Sequence, residues 1–222
     1  MIGLSLGLAG GRGAGSSGGL GADGGFDLDF GRQRYAVAGP YSAASPLTFT
    51  TPVTLTADGF LADDVGNNVT MALGSWFNRA AGTLIVEAKQ VTLVATSLAP
   101  CGFNSGDSAN QAFMYRQSTG AINGFGFPGT HVLASTENAV ADVFWRGAIA
   151  LTASTGDVKV CAKGAAVQTA NWGADVATLM TAVTQINVGA AVPGGAVFGG
   201  YVRRIRYIPR VLSDVEMIAA TV

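Results

Sequence analysis

From Phe26 to the end of the chain, apolar residues recur at every second position in short runs, and Gly, Asn, Asp, Ser and Pro divide the runs. A period of two sends successive side chains to opposite faces of an extended segment. The pattern therefore restricts this chain to short, half-buried strands joined by turns. The clearest instance sets Val158, Val160 and Ala162 against Asp157, Lys159, Cys161 and Lys163, which places Cys161 on the polar face. Ser154-Thr-Gly-Asp157 is a hairpin turn, and the run before it, Val140 to Ala153, centres on Phe144 and Trp145 with a break or bend expected at Gly147. Leu47, Phe49, Val53 and Leu55 share one face of a strand whose other face is threonine, and Pro52 assigns that strand to a sheet edge. Leu84, Val86 and Ala88 oppose Glu87 and Lys89, with a second apolar stretch through Val91, Leu93 and Val94, and Gln111 to Gln117 alternates as well.

Two helical pieces interrupt the pattern. Ala174 to Thr184 is read as a short helix. Ser213-Asp-Val-Glu216 has the form of a capping box, in which the Ser213 hydroxyl accepts from the Glu216 amide and the Glu216 carboxylate reaches back. Leu212 and Met217 sit where a hydrophobic staple belongs. A short C-terminal helix follows.

With 222 residues the chain is long enough for one large β-sandwich. Its 13 Lys and Arg nearly balance 14 Asp and Glu, a net charge of -1, so no overall field draws nucleic acid or an anionic membrane. Charged residues are only 12% of the chain, a composition suited to burial against partners and also met in ordinary secreted β proteins. Met1 to Ala9 lacks a basic flank and a continuous apolar run, and no stretch reaches membrane-span length, so a soluble protein without membrane insertion is expected. Cys101 and Cys161 are expected as free thiols. With His131 the sole histidine, zinc-type ligand spacing is missing.

Residues 1–25 stand apart as a glycine-rich N-terminal arm. Glycine offers no side chain to bury and loses much backbone entropy on ordering, so an ordered arm needs neighbours that hold it. The arm is expected to be an assembly or anchoring element ahead of a sandwich at 26–222, the other possibility being that it folds back on its own domain.

The end of the chain, Gly200-Tyr-Val-Arg-Arg-Ile-Arg-Tyr-Ile-Pro-Arg-Val-Leu-Ser-Asp-Val-Glu216, resembles the closing strand and helix of concanavalin A-like, laminin G-like domains of bacteriophage virion proteins. Phe26-Asp-Leu-Asp-Phe30 with Arg34-Tyr35, and Trp76-Phe-Asn with Gly82-Thr-Leu-Ile-Val-Glu87, are similar to the family's opening and an early core strand. The resemblance implies an all-β fold, a concanavalin A-like antiparallel β-sandwich or jelly roll. It also implies a fibre, spike, decoration or tail component on the exterior of a phage or phage-like particle such as a gene transfer agent.

The residues that bear chemistry favour no enzyme. Glycoside hydrolysis needs two carboxylates flanking a sugar. Glu87 has no second carboxylate two or four residues away, and Asp142 is similarly alone. His131, read as a loop residue after Pro128-Gly129, has no Gly-X-Ser-X-Gly elbow to serve, and the N-terminal glycines match no nucleotide loop. Asp63-Asp64 with Gly66-Asn67-Asn68 offers oxygen ligands for calcium, or simply a turn. Arg203, Arg204, Arg206 and Arg210 invite an anion-binding reading, against structural pairing with the Asp214–Glu216 end and neighbouring carboxylates. Trp172 beside Asn171 is the candidate platform for a sugar, against packing under a loop, while Trp76 and Trp145 read as core.

The expectation is thus a non-enzymatic virion structural protein without cofactor. Its partners would be other copies of itself, in a symmetric and for instance trimeric assembly, and other virion proteins, with no nucleic acid. The rival is a carbohydrate-binding adhesion module that recognises host cell-surface glycans at Asn171 and Trp172. A polysaccharide depolymerase is the third.

Overall fold

The computed structural model describes residues 24–40, 46–49, 54–63, 69–94 and 96–222. In chain order their strands are β1 (Phe26–Asp29), β2 (Arg34–Val37), β3 (Thr48–Phe49), β4 (Thr54–Thr56), β5 (Gly59–Ala62), β6 (Val69–Ala72), β7 (Ala81–Gln90) and β8 (Cys101–Asn104). Then come β9 (Gln111–Arg116), β10 (Ala121–Phe127), β11 (His131–Asn138), β12 (Trp145–Thr152), β13 (Asp157–Ala162) and β14 (Gln168–Asn171). Helix α1 (Ala174–Ala182), β15 (Gln185–Val188), β16 (Gly200–Ile208) and helix α2 (Asp214–Thr221) complete the chain.

The strands form two antiparallel sheets. One runs β14-β13-β12-β7-β16-β1-β2 with β5 and β4 added beside β16, and the other runs β11-β10-β9-β8-β15-β6-β3. Strand β16 is central to the first sheet: β7 flanks it on one side, and β5 and then β1 share the other. A bulge between Val202 and Arg204 makes that handover. The core lies between the sheets. Val86, Ile149, Val160, Ile205 and Tyr207 enter it from the nine-stranded sheet, and Phe103, Met114, Ile122 and Ile186 from the seven-stranded one. Gly124 and Gly126 of β10 also face inward: a Cβ on Gly124 would lie 2.5 Å from the Val160 side chain, and one on Gly126 2.3 Å from the Trp172 indole.

Much of the strand pattern is where alternation put it. Val158, Val160 and Ala162 are buried in the core, Thr152 pairs with Asp157 across the hairpin, and Trp145 is core while Trp76 packs against it. Three expectations need correction. The stretch 47–55 is not one strand: β3 pairs with β6 in the seven-stranded sheet and β4 pairs with β5 in the other, and Pro52 and Val53 lie outside the described residues. Gly147 neither breaks nor bends β12, whose pairing with β7 and β13 is regular across it. A Cβ there would lie 2.8 Å from Met114 Cε, the movable end of a long side chain. His131 is the first residue of β11 and not a loop residue.

Cys161 requires a fourth correction, because it is fully buried on what alternation makes the outer face. Helix α2 lies on that face and with Leu212 closes a second apolar cluster of Ile85, Ala148, Ala150, Cys161, Ile208 and Met217. Both cysteines are free, as expected, and burial raises the pKa of each. The capping box forms as read: Glu216 N–H donates to Ser213 Oγ at 3.3 Å, and Ser213 N–H donates to Glu216 Oε2 at 2.8 Å. Arg210 adds two hydrogen bonds to the same carboxylate, at 2.9 and 3.1 Å.

These contacts, Arg210 foremost and then Ser213, push the Glu216 pKa down to about 2. A depressed carboxylate pKa contributes stability that is present above the unfolded value of about 4.3 and lost as pH falls through the folded value. Helix α2 is therefore expected to loosen between those limits and to uncover Cys161. In a Cys101→Ala background, the reaction of Cys161 with a pyridyl disulfide, which proceeds in acid, should accelerate across that window. Glu216→Gln should be fast already at neutral pH, and equal rates in both proteins would remove the capping box from the account.

The glycine-rich segment 1–23 and residues 64–68 of the calcium reading lie outside the described residues. Gly24 and Gly25 are described and lead into β1 beside Tyr207 and Pro209. Among the described residues no group of three or more His, Cys, Asp or Glu is arranged to hold a metal ion, and no helix is long and apolar enough to cross a membrane.

Candidate functional site: an aromatic recess on the seven-stranded sheet

Because β10 turns Gly124 and Gly126 inward, it turns Asn123, Phe125 and Phe127 to the outer side of its sheet. Its partner β9 does the same with Gln111, Phe113 and Tyr115, while Ala112 and Met114 enter the core. In register, Phe125 stands opposite Phe113 and Asn123 opposite Tyr115. The rings meet accordingly. Phe113 and Phe125 stack with centroids 4.8 Å apart and planes at 21°, Tyr115 meets both edge-on, and Phe127 extends the row 5.2 Å beyond Phe125.

This cluster is separate from the core. It borders a recess of about 300 Å³ whose opposite wall is the loop between β15 and β16, through Ala191, Val192, Gly195 and Ala196. The loop is pinned to the sheet. Asn104 Nδ2 donates to Ala191 O at 3.0 Å, Asn187 Nδ2 to Ala190 O at 3.2 Å, and Gly189 N–H to Pro100 O at 2.8 Å. Gly102 beneath it must lack a side chain, since a Cβ there would lie 2.7 Å from Ala191 O.

Polar groups are few and placed at the margin. Gln111 and Ser97 line the recess. Asn123, 1% exposed, donates to Gln117 Oε1 at 3.1 Å and to Tyr115 Oη at 3.4 Å, and its own Oδ1 has no hydrogen-bond partner. Phe113 and Tyr115 are largely buried by one another, so half-buried Phe125 presents the accessible ring face. A mostly apolar hollow with a few polar groups that converge on it is the usual form of a small-ligand site.

Trp172 lies on the inner side of β10, and Asn171 ends β14 of the other sheet, both away from this recess. The Trp172 indole is 7% exposed, packs beneath Gly126 and stacks on the His131 ring, with centroids 5.1 Å apart and planes at 11°. That is packing under β10 and the start of β11, with little face left for a sugar. Asn171 is exposed and employed in the turn: its Nδ2 donates to Thr155 O at 2.7 Å and to Asp157 Oδ1 at 2.9 Å, and its Oδ1 accepts from Gly173 N–H at 3.0 Å. His131 Nε2 meets Asp175 Oδ2 at 2.7 Å and thereby ties β11 to α1.

The remaining candidates gather on the outer face of the nine-stranded sheet. Glu87 lies between Arg146 and Arg203, at 3.2 and 3.3 Å, Arg204 grips Asp27, and Arg210 serves Glu216. Asp142 accepts from Lys89 Nζ at 2.8 Å, and Lys89 also reaches Asp58 at 3.1 Å. The bonds to Asp142 and Asp58 raise the Lys89 pKa, and Lys89 with Arg203 holds Asp58 below the usual carboxylate range.

Phe113, Tyr115 and Phe125 were not singled out from the sequence, although Gly124-Phe-Gly-Phe127 carries the signal. Alternating glycines on one strand face mark the side on which no side chain fits, and so assign the phenylalanines to the other.

Two facing antiparallel sheets define the fold as a concanavalin A-like jelly-roll β-sandwich. No protein-family model and no curated protein sequence matches it. Among solved structures, the chain is similar to the CBM40 domain of the Ruminococcus gnavus IT-sialidase bound to α2,3-sialyllactose. The identity is 20%, over 64% of this chain and 82% of that one, with a TM-score of 0.53. It is also similar to the leech intramolecular trans-sialidase complexed with 2,7-anhydro-Neu5Ac, at 20% identity over 65% of this chain and 23% of that one, TM-score 0.51. A third is the NanB sialidase of Streptococcus pneumoniae, at 14% identity over 68% of this chain and 26% of that one, TM-score 0.54. At such identities the likeness is one of fold.

Proposed function

We propose that this chain is a carbohydrate-binding module whose glycan seats in the recess of Phe113, Tyr115 and Phe125. The observation that carries the reading is the aromatic cluster itself, held outside the core on a sheet whose inner side at Gly124 and Gly126 is filled by Val160 and Trp172. Sugar rings present apolar C–H faces that settle on aromatic faces, and their hydroxyls need a few fixed polar partners, which Gln111 and Ser97 supply here. The resemblance in fold to a CBM40 domain bound to sialyllactose supports the ligand class.

A glycan array probed with the full chain tests this. Phe125→Ala is expected to weaken binding about tenfold or more, the loss of one stacked, buried ring face, while Asn171→Ala leaves it unchanged. Binding that survives Phe125→Ala but fails in Asn171→Ala would move the site to the turn at 154–157, and silence across the array would refute the module reading.

The setting of such a module is a separate inference, supported by the resemblance of residues 200–216 to virion domains. On that reading the module stands on the exterior of a phage-like particle and residues 1–25 anchor an oligomer. A monomeric mass for the full chain in light scattering counts against it.

A further inference from the structure

On the outer face of the nine-stranded sheet, beside α2, Glu87 stands in register with Arg146 of β12 on one side and Arg204 of β16 on the other. The bulge in β16 matters here. Arg203 is its extra residue, between the pairs Val202↔Ala88 and Arg204↔Glu87. A regular strand would send one of two consecutive side chains into the core. The bulge instead turns both Arg203 and Arg204 outward, a common use of bulges beside functional sites. The Arg203 guanidinium lies 3.4 Å from the centroid of the Phe144 ring, which fixes its plane.

Among the described residues, guanidiniums outnumber carboxylates on this face. Arg204 and Arg206 share Asp27, Arg32 and Arg34 share Asp29, and Arg146 and Arg203 share Glu87. Adding Lys89 with Asp58, which Arg203 also reaches, and with Asp142 at the margin still leaves a positive excess among the described residues, on a chain whose net charge is -1. A guanidinium offers five N–H donors, so one that already holds a carboxylate can also take an oxyanion of a ligand. Two hollows meet at Glu87, Arg146 and Arg204. One of about 150 Å³ runs towards Arg206 and Ala220 of α2, and one of about 390 Å³ towards Arg32 and Arg203.

We propose that this groove is a second binding site, for an acidic polysaccharide, with the guanidiniums taking its carboxylate or sulfate groups and Glu87 and Asp29 accepting its hydroxyls. It goes beyond the aromatic recess, which lies on the other sheet. Planar guanidiniums match the two oxygens of an oxyanion, and the carboxylates between them are acceptors for a hydroxyl-rich chain. A DNA duplex offers those acceptors few hydroxyls and is the poorer fit.

Affinity electrophoresis of the full chain through gels holding polygalacturonate, dextran sulfate or neutral dextran tests the proposal. Retardation is expected in at least one acidic gel and absent in dextran, and which acidic gel retards separates a carboxylate from a sulfate ligand. Arg146→Gln and Arg32→Gln, at 44% and 69% exposed side chains, should fold normally and each bind about tenfold more weakly. Phe125→Ala should bind as wild type, so failure of the aromatic recess leaves this result intact. No retardation by either acidic polymer, unchanged binding in both arginine variants, or tighter binding of a DNA duplex at equal salt would overturn it.

Discussion

Tyr207→Ala should cost the fold about 3–5 kcal/mol, the range for removing a large ring from a packed core. Tyr207 is 1% exposed and is the hub at which the layers meet. Its ring stacks on Phe77 at 5.2 Å and 24°, meets Phe103 of the opposite sheet edge-on at 5.3 Å, and touches Trp76 at 5.7 Å and Phe26 at 6.0 Å. The hydroxyl is also engaged, accepting from Asn78 N–H and donating to Asn78 O, each at 3.1 Å. Burial pushes the phenol pKa up, so the hydroxyl stays protonated and keeps donating. Room for the ring comes from Gly82, where a Cβ would lie 2.4 Å from ring atoms.

Tyr207→Phe keeps the ring and leaves the Asn78 groups unpaired, an expected loss of about 1–3 kcal/mol. Urea unfolding of both variants separates ring from hydroxyl. Equal losses in the two would mean that the ring packing contributes nothing, and a loss below about 1 kcal/mol in Tyr207→Ala would remove Tyr207 from the centre of the fold.

How far the sequence disclosed this arrangement depends on which interaction decides each residue. Val158, Val160 and Ala162 were legible because strand alternation is local, and so was the capping box, whose residues lie three apart. Cys161 was misplaced because alternation says that a strand has two faces and is silent on what covers the second. Only the docking of α2, through Leu212 and Met217, turns the nominally polar face of β13 into a second small core. Gly147 was misread for a related reason. In a strand a glycine can mark a bend, and here the regular pairing with β7 and β13 on both sides excludes one.

The candidate site divides the same way. Trp172 drew attention as an aromatic residue in an apparent loop, yet long-range packing against Gly126 and His131 fixes it. The aromatic recess requires three facts at once: the outward register of β9, that of β10, and the crossing of the 189–199 loop. None of these is local. Arginine pairing was anticipated in kind, but the bulge that turns Arg203 and Arg204 to the same side is a property of β16 bridging β5 and β1.

Asp27→Ala should destabilise the sandwich by about 3 kcal/mol, because it leaves two guanidiniums against the sheet without their carboxylate. Asp27 is 1% exposed, takes Arg204 Nε at 2.8 Å and Arg204 Nη2 at 2.5 Å, and stands 3.5 Å from Arg206 Nε. The estimate sits at the low end for a buried pair since the two arginine side chains keep 31% and 25% exposure. Desolvation makes such clusters poor sources of net stability, and apolar replacement of every member is often neutral. Asp27→Leu with Arg204→Met and Arg206→Met should therefore return the stability to within about 1–2 kcal/mol of wild type. Binding of acidic polymer should behave in the opposite sense, kept in the folded fraction of Asp27→Ala and lost in the triple variant. A cluster whose purpose is to join β1 to β16 would instead leave the triple variant as unstable as the single one. Recovery of stability together with loss of binding would show that the charges are kept for a ligand and not for the fold.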